Sequence, residues 1–164
     1  VSGASSEESG ECGLHIHASM RYFSKAEISA LKYFFWQNRL MLHKFSRRKN
    51  YRYCQLEDFK LAKPAGQREP FRQVTRYPES GDRYVAVNTQ TGKNTIEFRI
   101  FRGTLDYKRL LACFQFVDAL IDFVKCHSVL TSTTPYSWST FMNYLRHHNK
   151  HNHLEKYLIG EGLK

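Results

Sequence analysis

Asn94 to Asp106, NTIEFRIFRGTLD, is the stretch that most restricts what this chain can become. From Thr95 to Phe101 the residues alternate. Ile96, Phe98 and Ile100 fall on one side and Thr95, Glu97, Arg99 and Phe101 on the other, the period-two pattern of a strand. The first side is suited to packing. The second places a carboxylate and a guanidinium two residues apart, about 6.5 to 7 Å along a strand. Charges on an inner sheet face are costly unless something balances them.

The counterweight lies in Cys12 to Ser19, where Leu14, Ile16 and Ala18 alternate with His15 and His17, giving a second strand with a histidine side. Arg83 to Thr89, RYVAVNT, alternates again. Thr91 and Gly92 then open a short turn, so this segment and the strand from Asn94 are predicted to form a β-hairpin with roughly five loop residues. If the strands share one antiparallel sheet and face the same way, His15, His17, Glu97 and Arg99 form one polar patch. Imidazole and carboxylate suit a metal, which makes His15, His17 and Glu97 candidate ligands. The fixed fork of Arg99 suits phosphate or carboxylate. The alternative is structural: Glu97 and Arg99 pair with other residues across strands, and the histidines are buried and neutral.

Helices are expected around this sheet. Ser24, with Glu27 three residues on, has the form of a capping box. The helix it opens is predicted to run about twenty residues through KAEISALKYFFWQNRLMLHKF, with Ile28, Leu31, Phe35, Leu42 and Phe45 at helical spacings. Asp106 can cap YKRLLACFQFVDALIDFVK, where Leu110, Phe114, Val117, Ile121 and Val124 make an apolar stripe. Pro135 suits the first turn of a helix over PYSWSTFMNYLRHH, and a short helix is expected over Leu154 to Ile159. Pro64, Gly66, Pro70, Pro78 and Gly81 mark Lys63 to Asp82 as the longest loop, with Arg68, Arg72 and Arg76 along it. The fold class is therefore α+β, an antiparallel sheet with helices packed on one face. Residues 1–10 read as a flexible leader and 11–164 as a single α+β domain.

Twenty-five Lys and Arg against fifteen Asp and Glu leave a formal charge of +10, which favours an anionic partner such as a nucleotide, a nucleic acid or an acidic protein surface. The run HKFSRRKNYR from His43 concentrates that charge in Arg47, Arg48, Lys49 and Arg52, with Phe45, Tyr51 and Tyr53 interleaved. It suits phosphate backbones and base stacking, and equally a solvated helix end, where the macrodipole favours cations. Cys12, Cys54, Cys113 and Cys126 have no CxxC spacing, so reduced thiols in the cytoplasm are the expectation and a zinc site is not. No apolar run reaches the ~20 residues of a membrane span. His147, His148, His151 and His153 could chelate a metal, but Asn149 and Asn152 among them favour a helix end. Neither a Walker loop nor a dinucleotide glycine fingerprint occurs.

CGLHIHAS at Cys12 to Ser19, RYVAVN at Arg83 to Asn88 and NTIEFRIFRGTLDY at Asn94 to Tyr107 come in this order before an apolar helix. Together they resemble the amidoligase family of bacterial mobile elements and phages, over about residues 11–127, with a helical C-terminal extension at 135–160 beyond. That family is similar to the glutamine synthetase and glutamate-cysteine ligase superfamily. The resemblance implies a curved antiparallel sheet backed by helices, and a carboxylate-amine ligation through an acyl phosphate that uses ATP with Mg or Mn. Carried over, His15, His17 and Glu97 would lie at the metal-nucleotide face. Arg99 and Arg83 would neutralise phosphate charge, and Glu97, Arg99 and Arg83 would be the catalytic set.

Members of the family ordinarily carry a strand with paired acids well upstream of the HxH strand, whereas only Glu7, Glu8 and Glu11 precede His15 here. The expectation is thus a truncated amidoligase domain that lacks full activity unless a partner supplies the missing strand. The competing expectation is a basic phage or mobile-element protein that contacts nucleic acid or a host nucleoprotein, for instance as an inhibitor of a defence nuclease.

Overall fold

A computed structural model describes residues 13–48, 52, 54–56, 83–127 and 136–164. The leader 1–10, Cys12, Lys49, Tyr51, Tyr53, the loop of 63–82 with its three arginines, and Pro135 lie outside the described residues. The architecture is α+β, with a small three-stranded antiparallel sheet and five α-helices among the described residues. In chain order the elements are β1 (Gly13–Ser19), α1 (Lys25–Gln37), α2 (Arg39–Ser46), β2 (Val87–Asn88), β3 (Thr95–Arg102), α3 (Tyr107–Cys126), α4 (Trp138–His147) and α5 (Asn152–Gly160), with short 3-10 turns at Met20–Tyr22 and Asn149–His151.

β3 is the middle strand, antiparallel to β1 on one side and to β2 on the other. The hairpin is present but its first strand is short. Val87 pairs with Phe98 and Asn88 with Glu97, while Val85 bridges in parallel to Gln55. Thr91 fastens the turn by donating to the Thr95 carbonyl at 3.1 Å, and the turn passes through positive φ at Gly92 and Asn94.

The burial pattern of β3 follows the alternation as far as Ile100, which is buried like Ile96 and Phe98. Ile16 pairs with Phe98 and Leu14 with Phe101, so His15 alone on β1 faces Arg99 and Ile100 together. This bulge inserts one residue into β3 and shifts the pattern beyond it. Phe101, expected on the polar side, is fully buried instead, with its ring centroid 5.9 Å from Phe45 and 6.0 Å from Phe116.

The capping box forms as read: Ser24 Oγ accepts from the Glu27 N–H, and Glu27 Oε2 accepts from the Ser24 N–H at 2.6 Å. The expected twenty-residue helix is broken at Asn38, however. Its Nδ2 donates to the carbonyl of Phe34 at 2.8 Å and to that of Tyr136 at 2.7 Å. A side-chain amide that bonds its own helix competes with the backbone ladder. Here it also ties the break to the start of α4.

Asp106 caps α3 through the Lys108 N–H at 2.9 Å. The predicted stripe on α3 is turned from the true one. Val117 and Val124 are buried, but Phe114 is 48% exposed, and the face that packs runs through Cys113, Phe116, Leu120 and Phe123. The apolar sector of this helix is wider than the stripe, and its partners choose the centre. Phe116 stands among Phe34, Phe45, Phe101, Trp138 and Phe141, with centroids 5.0 to 6.4 Å apart. α4 begins at Trp138, where Ser137 caps it by accepting from the Thr140 N–H. α5 covers the short helix expected at Leu154 to Ile159.

Arg109 on α3 is buried, at 3% exposure. Its guanidinium donates to the carbonyls of Phe45 and Ser46 at 3.1 and 2.8 Å and to the Tyr157 hydroxyl at 3.3 Å. It thereby satisfies carbonyls that a helix end leaves open, and its charge meets the negative end of the α2 dipole. No helix among the described residues is long and apolar enough to cross a membrane.

Candidate functional site

The packed side of the sheet fixes what the other side shows. Ile16, Ile96 and Phe98 are buried against the helices, with Phe35 of α1 6.0 Å from Phe98. His15, His17, Thr95, Glu97 and Arg99 occupy the remaining face.

Glu97 is its centre. Its carboxylate Oε1 accepts from Arg99 Nη1 at 2.9 Å and from His15 Nδ1 at 2.9 Å, while Oε2 accepts from Asn88 Nδ2 at 2.9 Å. His17 Nε2 is 3.7 Å from Oε1, too far for a hydrogen bond, and its Nδ1 is 3.1 Å from Thr95 Oγ1. Side-chain exposure is 9% for Glu97 and 14% for Arg99, against 34% for His15 and 41% for His17. Two nearly covered charges thus sit beneath two imidazoles that reach solvent.

Burial alone would raise the Glu97 carboxyl, but hydrogen bonds from Asn88 and Arg99, with the Arg99 charge, hold it below the ordinary carboxylate range. His15 moves down too, first through burial and then through Arg99, with Arg48 adding and Glu97 opposing. The pair is therefore a neutral imidazole donating Nδ1–H to an ionised carboxylate, which leaves His15 Nε2 as an acceptor.

The other predicted residues divide. Arg83 donates to the Tyr84 hydroxyl at 2.8 Å and stacks over the Tyr84 ring at 5.0 Å; Arg99 approaches the same ring at 5.8 Å. Tyr84 therefore links Arg83 to the face. Arg47 pairs with Glu161, and Phe45 is in the core. Arg48 turns inward, its Nε donating to the Phe101 carbonyl at 3.2 Å. Arg52 is exposed, and Lys49 lies outside the described residues.

The C-terminal histidines do not converge. His147 and His148 direct Nδ1 to the carbonyls of Asn143 and Tyr144, and His153 directs Nε2 to that of Lys108. His151 is buried, with Nε2 3.0 Å from Asp118.

The sequence reading missed Asn88, Tyr84 and the inward turn of Arg48. Asn88 was the most accessible of these. Pairing the hairpin across its short turn sets position 88 opposite 97, and Gln90 N–H fixes the Asn88 amide by donating to its Oδ1 at 2.8 Å.

The donor set of this face does not match the ligands of a magnesium ion. Magnesium takes oxygen ligands in near-ideal octahedral geometry, and both oxygens of Glu97 already accept N–H donors. Among the described residues the donors that all lie within 4.8 Å of one another are those of Asp118, Asp122 and His151, rather than His15, His17 and Glu97. Lys150 bridges those two aspartates, at 3.0 and 2.7 Å.

The family model described as "Putative amidoligase enzyme" matches residues 2–121, which include every side chain of this face. The chain belongs to that amidoligase family. No curated protein and no solved structure matches it. The matched segment ends within α3, so α4 and α5 lie beyond it.

Proposed function

We propose that the Glu97 face holds the phosphoryl end of a nucleotide, and that this amidoligase-family chain joins a carboxylate to an amine through an acyl phosphate. A carboxylate oxygen of the substrate attacks the terminal phosphorus of ATP and ADP leaves. The amine nitrogen then attacks the acyl carbon, the C–O bond to phosphate breaks, and the nitrogen loses a proton. The observation that carries the reading is the ionised carboxylate of Glu97, which holds Arg99 and His15 together on one face within the family segment. Arg99, with Arg83 alongside Tyr84, offsets the negative charge of the transferred group. His15 Nε2 is an acceptor for a proton of the amine. The oxygens on the face do not form a magnesium site by themselves, and no role here depends on one. Work in the cytoplasm suits the free thiols of Cys54, Cys113 and Cys126.

The test is incubation with ATP, a divalent cation, a panel of carboxylates and hydroxylamine, which traps an acyl phosphate as a hydroxamate. Wild type should form ADP and hydroxamate together, and Glu97→Ala and Arg99→Ala should lose at least ~99% of both, the loss expected when a preorganised charge-stabilising group is removed. Turnover that survives both substitutions ends the assignment of this face as the site, and a wild type that forms neither product ends the ligase assignment. The reading as a basic protein that contacts nucleic acid or a nucleoprotein draws on net charge, but much of its run is used internally: Arg47 on Glu161, Arg48 on Phe101 and Phe45 in the core.

A further inference from the structure

Arg48 belongs to the run of positive charge after α2, yet it does not project from it. Arg47 adopts left-handed backbone geometry with φ 53°, which ends α2 and swings the chain back toward the sheet. Arg48 Nε then donates to the Phe101 carbonyl at 3.2 Å, and the guanidinium lies over Gly13 at the start of β1. The approach is close. A Cβ on Gly13 would stand 1.6 Å from Arg48 Nη2 and 3.3 Å from His15 Nε2. Only a residue without a side chain leaves that space to the guanidinium.

Arg48 and Arg99 also act on the same two neighbours, since both lower the pKa of His15 and oppose the rise that burial gives the Cys54 thiol. Arg99 is neutralised in part by Glu97 at 2.9 Å, whereas Arg48 bonds the neutral Phe101 carbonyl and the Cys54 thiol. Among the described residues the face thus brings together two guanidinium groups, Arg48 and Arg99, and the carboxylate of Glu97.

We infer that Arg48 is a second anion-binding guanidinium of this face, seated over Gly13 beside His15, and that with Arg99 it grips a phosphoryl oxyanion. The inference rests on the proposed function for the identity of the anion, and the Arg48 seat itself rests on the contacts with Gly13 and Phe101. It gives Gly13 a role: the missing side chain is the socket for the arginine. It also assigns Arg48 a binding role on the sheet in place of a contact with nucleic acid.

The test uses inorganic pyrophosphate as the probe, with affinity read by calorimetry on the full chain. Arg48→Ala should weaken binding roughly ten- to hundredfold, the loss expected for a charge-assisted hydrogen bond. Arg48→Lys should fall between, because it keeps the charge and loses the fork. Gly13→Ala should cost nearly as much as Arg48→Ala by expelling the guanidinium, and combining the two should add almost nothing. Each variant is checked by circular dichroism; if Arg48→Ala does not fold, Gly13→Ala and Arg48→Lys decide. Binding by Arg48→Ala equal to wild type overturns the inference, as does a Gly13→Ala loss that adds in full on the Arg48→Ala background. Acetate binding with the same Arg48 dependence, without pyrophosphate binding, overturns it in favour of a carboxylate seat. Arg48-dependent pyrophosphate binding in a protein that never forms ADP would remove the ligase reading and leave the seat. Ligation and pyrophosphate binding that are both indifferent to Arg48→Ala would remove the seat and leave the ligase.

Discussion

Replacing Glu97 by glutamine keeps its volume and removes its charge, and the surroundings determine the effect. Asn88 cannot turn its amide to help, because its Oδ1 already accepts from the Gln90 N–H at 2.8 Å. Its Nδ2–H therefore still points at position 97. If the new amide oxygen serves Arg99 and His15, the new NH2 meets the Asn88 NH2; if it is flipped, the NH2 meets Arg99 and His15. Either way a donor on a face where Glu97 and Arg99 are 9% and 14% exposed is left without an acceptor. One such loss costs about 1–3 kcal/mol and weakening the charge-assisted bond to Arg99 adds about 1 kcal/mol, so Glu97→Gln should destabilise the protein by about 3 kcal/mol at pH 7.

The pH dependence separates this from general damage. The Glu97 carboxyl titrates lower folded than unfolded, so its contribution is present above the unfolded value of about 4.3 and lost as pH falls through the lower folded value. His15 is also lowered, so its neutral form is favoured in the fold; that stability is present above about 6.5 and lost as pH falls through the folded value. Wild type should thus weaken in two stages on acidification, and the gap to Glu97→Gln should close below about pH 4. Urea unfolding from pH 3 to 8, followed by tryptophan fluorescence, measures both. Equal stability at pH 7, or a gap as large at pH 3 as at pH 7, would refute the hydrogen-bond account.

Arg109→Met should destabilise by about 2–4 kcal/mol in the same assay, because the buried Phe45 and Ser46 carbonyls lose their donor; no change would mean that α2 ends without it. Phe116→Ala should cost about 3–5 kcal/mol, while Phe114→Ala, on the exposed side of α3, should stay within about 0.5 kcal/mol. The opposite order would mean that α3 turns its other side to the core.

Local rules read well where the determining groups are neighbours in sequence. Ser24 with Glu27, and Asp106 before α3, were legible because a cap acts within one turn. The face of His15, His17, Glu97 and Arg99 was legible for the same reason, since alternation is set by the backbone. What escaped depends on distant partners. Asn38 breaks a helix by reaching Tyr136, and the buried side of α3 is chosen by rings from α1, α2, β3 and α4. Arg48 looked like surface charge because nothing nearby in the sequence shows that its guanidinium ends over Gly13.

The extra residue in β3 makes spacing, more than composition, the vulnerable property of this strand. On one side of the bulge the strand displays Glu97 and Arg99, and beyond it Phe101 goes under the sheet. Removing one residue between them would restore strict alternation with Phe101 still opposite Leu14 in the core, whereas adding one would turn its ring toward the side of the carboxylate. Most single substitutions at those positions would disturb one side chain, whereas an added residue would exchange inside and outside for everything downstream. Such a strand tolerates a changed letter better than an extra one.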